Sequence, residues 1–173
     1  MPVGWTASSS DESDPIACEA FAAVRRMPRA VSPDFAHGDE QFSNHAVAIY
    51  ATPQDVDAAI VDLLAADMRT CLGDELKQKF ADGIEGDAEI GEVTVSELNV
   101  EPLGQRSGGL RIRVPISASG IDVDIYADYV FGQVDRGLTM LMVGSTYTEP
   151  DEELQATLAK RAVQRLGEAL GRA

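Results

Sequence analysis

The stretch Leu110-Arg111-Ile112-Arg113-Val114-Pro115-Ile116-Ser117-Ala118-Ser119-Gly120-Ile121-Asp122-Val123-Asp124-Ile125-Tyr126 decides the fold. Two runs of apolar/polar alternation flank a short polar break, the pattern of a β-hairpin buried on one face. A turn centred on Ala118-Ser119 sets Ile112 opposite Ile125, Val114 opposite Val123 and Ile116 opposite Ile121. The same register sets Arg113 opposite Asp124 and Arg111 opposite Tyr126. One face is then aliphatic and the other charge-paired, and a slip of one residue ruins both.

Working outward, Asp135-Arg136-Gly137 reads as the next turn and residues 138–143 as a strand. That strand is apolar on both sides, so it is expected to be central or covered on its second face. Pairing Phe131 with Leu138 puts Tyr129 opposite Met140 on the core side. The other side carries Tyr126, Val130, Leu141 and Val143, rimmed by Arg111, Arg113 and Asp124. Either a helix covers this strip, or the strip floors a groove for a small amphipathic ligand or a peptide. Tyr126, Val130, Leu141, Val143, Arg111 and Arg113 are the candidate ligand-binding residues.

The flanks alternate between the two periods. Thr148-Glu149-Pro150-Asp151-Glu152 opens a terminal helix with acids at its positive end, and Leu154, Leu158, Ala162, Leu166 and Leu170 form its buried row. Residues 93–100 read as a strand whose apolar phase shifts near Ser96-Glu97, which suggests a bulge. Thr52-Pro53-Gln54-Asp55 is a helix start with a cap, an early proline and an acid three residues on. Val56, Ile60, Leu64, Met68 and Leu72 repeat every fourth residue, with Gly73 ending or bending the helix and Leu76 and Phe80 continuing into a shorter one. A strand precedes it over residues 42–51. Asp14-Pro15 starts a first helix carrying Cys18, Phe21, Ala22 and Arg25, which Pro28 stops. Residues 29–40 read as a loop and 1–13 as a flexible leader. The order α-β-α-α-β-β-β-β-α predicts one α+β domain over 14–173, a mostly antiparallel sheet of about five strands with helices packed on one face.

Cys18 and Cys71 are the only cysteines, each on the apolar side of an amphipathic helix. They read as one structural disulfide clamping two helices, which places the protein in an extracellular or cell-envelope setting. The alternative is a pair of buried free thiols in a cytosolic protein. The amino terminus shows no basic patch followed by an apolar core, so an export signal or anchor is expected to be absent from this chain. No run is long enough to span a bilayer, so no integral membrane segment is expected.

With 29 acidic against 14 basic residues the formal net charge is -15, which opposes both nucleic-acid backbones and anionic membrane surfaces. Asp122, Asp124 and Asp128 share one strand face, but Arg111 and Arg113 oppose them across the hairpin, so surface ion pairing is expected there and not a metal. His37 and His45, the only histidines, lack partners at zinc spacing and are expected to be exposed. There is no Gly-x-Ser-x-Gly elbow, Gly144-Ser145 lacks triad partners, and Gly108-Gly109 leads into a strand and not a helix, so no phosphate cradle is expected. No catalytic residue and no cofactor is assigned. A serine hydrolase around Ser145 or His45 needs His45 within hydrogen-bond reach of a serine.

Val47-Ala48-Ile49-Tyr50 running into Asp55-Val56-Asp57-Ala58-Ala59, Cys71-Leu72 near a helix end, the meander with Gly137 before residues 138–143, and the closing amphipathic helix together form a recognisable order. Over residues 46–170 it resembles the extracellular sensor domains of actinobacterial envelope proteins: the PknH-type serine/threonine kinase sensor domain and related secreted lipoproteins. The resemblance implies an exported α+β domain with a cleft for a small ligand. It carries over no binding residue. A single disulfide stands here where the kinase sensor domain is expected to have two, and Pro15-Ile16-Ala17-Cys18 does not resemble a lipobox, so Cys18 is expected to be bridged and not acylated.

The expected function is thus a non-enzymatic, sensor-like exported domain binding a small ligand or a protein partner on the sheet. The alternative is an interaction or structural module that buries the same strip in a homodimer or hetero-complex.

Overall fold

The computed structural model describes residues 4–9, 16–38, 40–83 and 88–171. In chain order these form β1 (Thr6–Ser8), α1 (Glu19–Arg25), β2 (Arg29–Val31), β3 (Asp34–His37), β4 (Gln41–Ile49), α2 (Pro53–Leu64), α3 (Ala66–Gly83), β5 (Glu89–Ile90), β6 (Thr94–Leu98), β7 (Ser107–Ala118), β8 (Ile121–Val134), β9 (Gly137–Thr146) and α4 (Glu152–Ala169). The class is α+β with an antiparallel sheet, as expected. The sheet has nine strands among the described residues rather than about five, in the order β1-β3-β4-β9-β8-β7-β5, with β2 also on β4 and β6 also on β7.

The additional strands come from segments too short or too polar to show alternation. Residues 29–40 contain β2 and β3, which pair with β4. Part of the stretch read as a leader is β1, paired Thr6 to Ala36 and Ser8 to Asp34. The rest of that leader outside 4–9 lies beyond the described residues, as do Asp14 and Pro15. The first helix begins at Glu19 with Cys18 at its N-cap position, later than the expected start.

The central hairpin keeps its predicted faces but shifts its register by two residues. Ile112 faces Ala127, Val114 faces Ile125, Ile116 faces Val123, Arg113 faces Tyr126 and Arg111 faces Asp128. The cause is the turn: Ser119 and Gly120 hold φ 52° and 79°, so both left-handed positions sit one residue later than Ala118-Ser119. Two-residue hairpin turns of this kind favour glycine because it has no Cβ to clash. The next hairpin shifts likewise, setting Phe131 opposite Met140 and Tyr129 opposite Met142. An even shift leaves every side chain on its original face.

Both faces of the sheet are covered, not one. On the first, Phe21 and Val24 of α1, Val56, Ile60 and Leu63 of α2 and Met68 and Leu72 of α3 pack on Leu110, Ile112, Val114, Phe131 and Leu138. On the second, Ala159 of α4 with Leu158 and Val163 packs on Val130, Leu141 and Val143. Strand β9 is central between β4 and β8, which accounts for its two apolar sides. The phase shift in β6 is not a bulge, since its pairing with β7 is continuous. Val93 and Val95 turn to the first core while Leu98 and Val100 turn to the second.

Helix α2 starts as expected: Thr52 and Asp55 form a reciprocal capping box. The break falls at Ala65, whose extended ψ of 151° ends α2, and α3 then runs through Gly73 to Gly83. Cys71 on α3 is joined to Cys18 in a disulfide with a Cα–Cα distance of 6.0 Å. One turn on, the Glu75 carboxylate accepts the backbone N–H groups of Ala17 and Cys18, at 3.1 Å for Cys18. One face of α3 therefore anchors the start of α1 twice, by a covalent bond and by a charged cap.

Candidate functional site

The second face of the sheet is where α4 and the strands leave space. Asp151 caps α4 through the Leu154 N–H at 2.7 Å, which fixes where the helix crosses the sheet. Gly132 permits the close approach: a Cβ there would lie 2.8 Å from Val163 Cγ2 of α4. The helix thus seats over β8 and β9 and leaves a concavity on each side.

Between α4 and β3–β4 lies a cavity of about 350 Å³. Leu141 and Leu158 form its apolar floor, with Pro33, Phe35 and Ala162 beside them. Ser43, Asn44 and His45 line it from β4, Ser32 from the β2–β3 connection, and Arg161 and Arg165 from the helix. Its exposed surface is mostly apolar while six polar side chains converge on it, the character of a small-molecule site.

Most of these polar groups are already satisfied. Ser43 Oγ donates to Met142 O at 2.8 Å, Ser32 Oγ donates to Pro33 O at 2.8 Å, and Asn44 Nδ2 donates to Asp34 Oδ1 at 3.2 Å. His45 is part-buried, not exposed as expected, and its Nε2 lies 2.5 Å from Thr139 Oγ1. Burial, and secondarily the Arg165 guanidinium, pushes the His45 imidazole below its ordinary value and favours the neutral ring. The ring's hydrogen bond is with a threonine, Thr139, while the His45 backbone N–H donates to Ser32 Oγ at 3.0 Å.

On the other side of α4 is a second cleft of about 710 Å³ lined by Val130, Leu103, Glu101, Glu152, Glu153 and Lys160 among others. Lys160 Nζ is 2.6 Å from Glu101 Oε2, and this contact holds the Glu101 carboxyl below its ordinary value.

The six residues nominated from the sequence are not gathered into one groove. Leu141 lines the cavity and Val130 the second cleft, while Val143 is 2% exposed in the packing beneath α4. Tyr126 donates its hydroxyl to Asp124 at 3.3 Å. Arg113 pairs with Asp124 at 2.9 Å. Arg111 makes hydrogen bonds of 2.8 and 2.7 Å to the two oxygens of Asp128 and also contacts Glu149. Asp128 is fully buried, so this ion pair is internal and not a surface one as expected. Gln155 of α4 completes it, donating to Asp128 Oδ2 at 2.9 Å. Helix α4 packs over Val130 and Val143 within the chain itself.

Sequence reasoning missed Phe35, Arg161 and Arg165, and considered His45 only as an exposed or hydrolase residue. The signal for the arginines is present: Leu158, Arg161, Ala162 and Arg165 fall at i, i+3, i+4 and i+7, one face of a helix.

No helix among the described residues is long and apolar enough to cross a membrane. Cys18, Cys71 and Glu75 are the one group of potential metal ligands that converge among the described residues, but the two sulfurs are bonded to each other. No family model matches the chain, and no curated protein matches it. Among solved structures it is similar to the extracellular domain of PknH from Mycobacterium tuberculosis, with 11% identity over 93% of this chain and 81% of that one, at a TM-score of 0.46. It is also similar to LpqN, a Mycobacterium tuberculosis protein involved in cell envelope biogenesis, with 9% identity over 95% of this chain and 77% of that one, at a TM-score of 0.31.

Proposed function

We propose that this chain is an exported, sensor-like α+β domain that holds a small amphipathic ligand on the second face of its sheet, beside α4. The observation that carries this reading is the cavity of about 350 Å³ floored by Leu141 and Leu158. An apolar recess next to unused polar groups is stabilised by any occupant that removes its surface from water while satisfying those groups. The export half of the reading is supported by the Cys18–Cys71 bridge, a bond that persists in oxidising compartments and is rare in the cytosol.

The test is binding of the fluorescent apolar probe N-phenyl-1-naphthylamine, with Ala162→Trp filling the cavity. Saturable fluorescence enhancement that Ala162→Trp abolishes supports the reading. Enhancement unchanged by Ala162→Trp, in a variant that still melts cooperatively, contradicts it. Leu158→Trp fills the same space from one turn earlier and serves if the first variant fails to fold. Native mass spectrometry of protein recovered from its source then identifies the physiological occupant.

A further inference from the structure

We propose that the cavity takes a single-chain amphipathic anion, its headgroup held by Arg161 and Arg165 and its chain laid along Leu141 and Leu158, an inference resting on the ligand-binding reading above. Arg161 and Arg165 are four residues apart, so their guanidiniums project from the same face of α4, at the edge of the cavity. Like charges at this spacing repel and weaken a helix. Neither has a carboxylate partner among the described residues, and no carboxylate among them lines the cavity. The chain carries a net charge of -15, with acids outnumbering bases two to one, and Arg26, Arg106, Arg111, Arg113 and Lys160 each pair with a carboxylate.

The other polar side chains at the cavity are bonded within the protein: Ser43 to Met142, Ser32 to Pro33, Asn44 to Asp34 and His45 to Thr139. The two guanidiniums are therefore what remains for a ligand to satisfy. A neutral chain leaves both unpaired, and a cation is repelled. A carboxylate or phosphate monoester accepts forked hydrogen bonds from each arginine, while the apolar floor takes the chain. The cleft across α4 has the opposite character, with Glu152 and Glu153 on its wall and Lys160 already bridged to Glu101.

The experiment is calorimetric titration of the full chain with octanoate, octyl phosphate, octanol, octyltrimethylammonium and acetate. Octanoate and octyl phosphate are expected to bind, and octanol, octyltrimethylammonium and acetate to bind at least about tenfold more weakly. The double variant Arg161→Gln, Arg165→Gln is expected to lose about tenfold or more in octanoate affinity and to leave octanol binding unchanged. Both substitutions are on the exposed helix surface and glutamine is a good helix former, so the fold is retained. Equal binding of octanoate and octanol, or no loss in the double variant, overturns the anion assignment and leaves the cavity reading standing. Acetate binding as tightly as octanoate overturns the role of the chain. Failure of every alkyl probe together with N-phenyl-1-naphthylamine overturns both.

Discussion

Asp128 on β8 lies directly opposite Arg111 on β7, and the two side chains share a forked pair of hydrogen bonds of 2.8 and 2.7 Å although Asp128 has no solvent exposure. The Asp128 carboxylate pushes the Arg111 guanidinium above its ordinary value, so the arginine stays charged throughout the accessible range. Gln155 brings α4 into the same network. The pair thus ties sheet and roof together at the point where α4 leaves its N-cap.

Removing one partner strands the other. Asp128→Ala removes the acceptor that Arg111 and Gln155 share, leaving Arg111 only its exposed contact with Glu149, and is expected to cost up to about 3–5 kcal/mol in urea unfolding. Arg113→Ala, which breaks the exposed pair with Asp124, is expected to leave the urea midpoint near that of the parent. Equal effects from the two substitutions contradict the internal role of Asp128.

The disulfide closes a loop with a sequence separation of 53 residues. In the loop-entropy account its loss relaxes the unfolded chain by about 4 kcal/mol. Cys18→Ser with Cys71→Ser is expected to lower unfolding stability by about that much while far-UV circular dichroism still reports the sheet. The sheet survives because β4, β7, β8 and β9 pair without help from α1. A double variant as stable as the parent refutes the clamp.

His45 supplies a pH dependence of defined sign. Its pKa in the fold lies below the unfolded value of 6.5, so the unfolded chain binds the proton more readily. The stability contributed by the neutral ring is complete above pH 6.5 and is lost as pH falls from there towards the lowered folded pKa. His45→Gln is expected to flatten the melting-temperature profile between about pH 7.5 and 5.5. A variant that keeps the parent's slope over that range contradicts the assignment.

Gly132 tests the seat of α4. Alanine there brings a Cβ to 2.8 Å from Val163 Cγ2 and 3.1 Å from Thr139 Cγ2, which is expected to cost about 1–3 kcal/mol. Val163→Ala removes the nearest obstruction, so the double variant is expected to be more stable than the sum of the two single effects predicts. Strict additivity places the strain elsewhere.

Faces were easier to read than registers. Alternation assigns Ile112, Val114 and Ile125 to one side of the sheet under either turn placement, because a two-residue shift preserves the pleat. The partners depended on which residues accept left-handed backbone, and Ser119-Gly120 accepts it where Ala118-Ser119 would not do so cheaply. Strands such as β2 and β3 carry too few residues for a period to emerge. In β6 the phase shift was visible, but its cause is two cores rather than one irregular strand. The apolar strip of Val130, Leu141 and Val143 was identified. What covers it depended on where α4 crosses, which no local pattern specifies, and the cavity beside α4 with its arginines followed from that placement.

The measurement closest to the central claim is an amide-resolved NMR titration of the full chain with N-phenyl-1-naphthylamine. The account predicts shifts concentrated at Phe35, Ser43, Leu141, Leu158 and Ala162, around the cavity between α4 and β3–β4. A spectrum that does not move, or shifts confined to α2 and α3 on the opposite face, would contradict it.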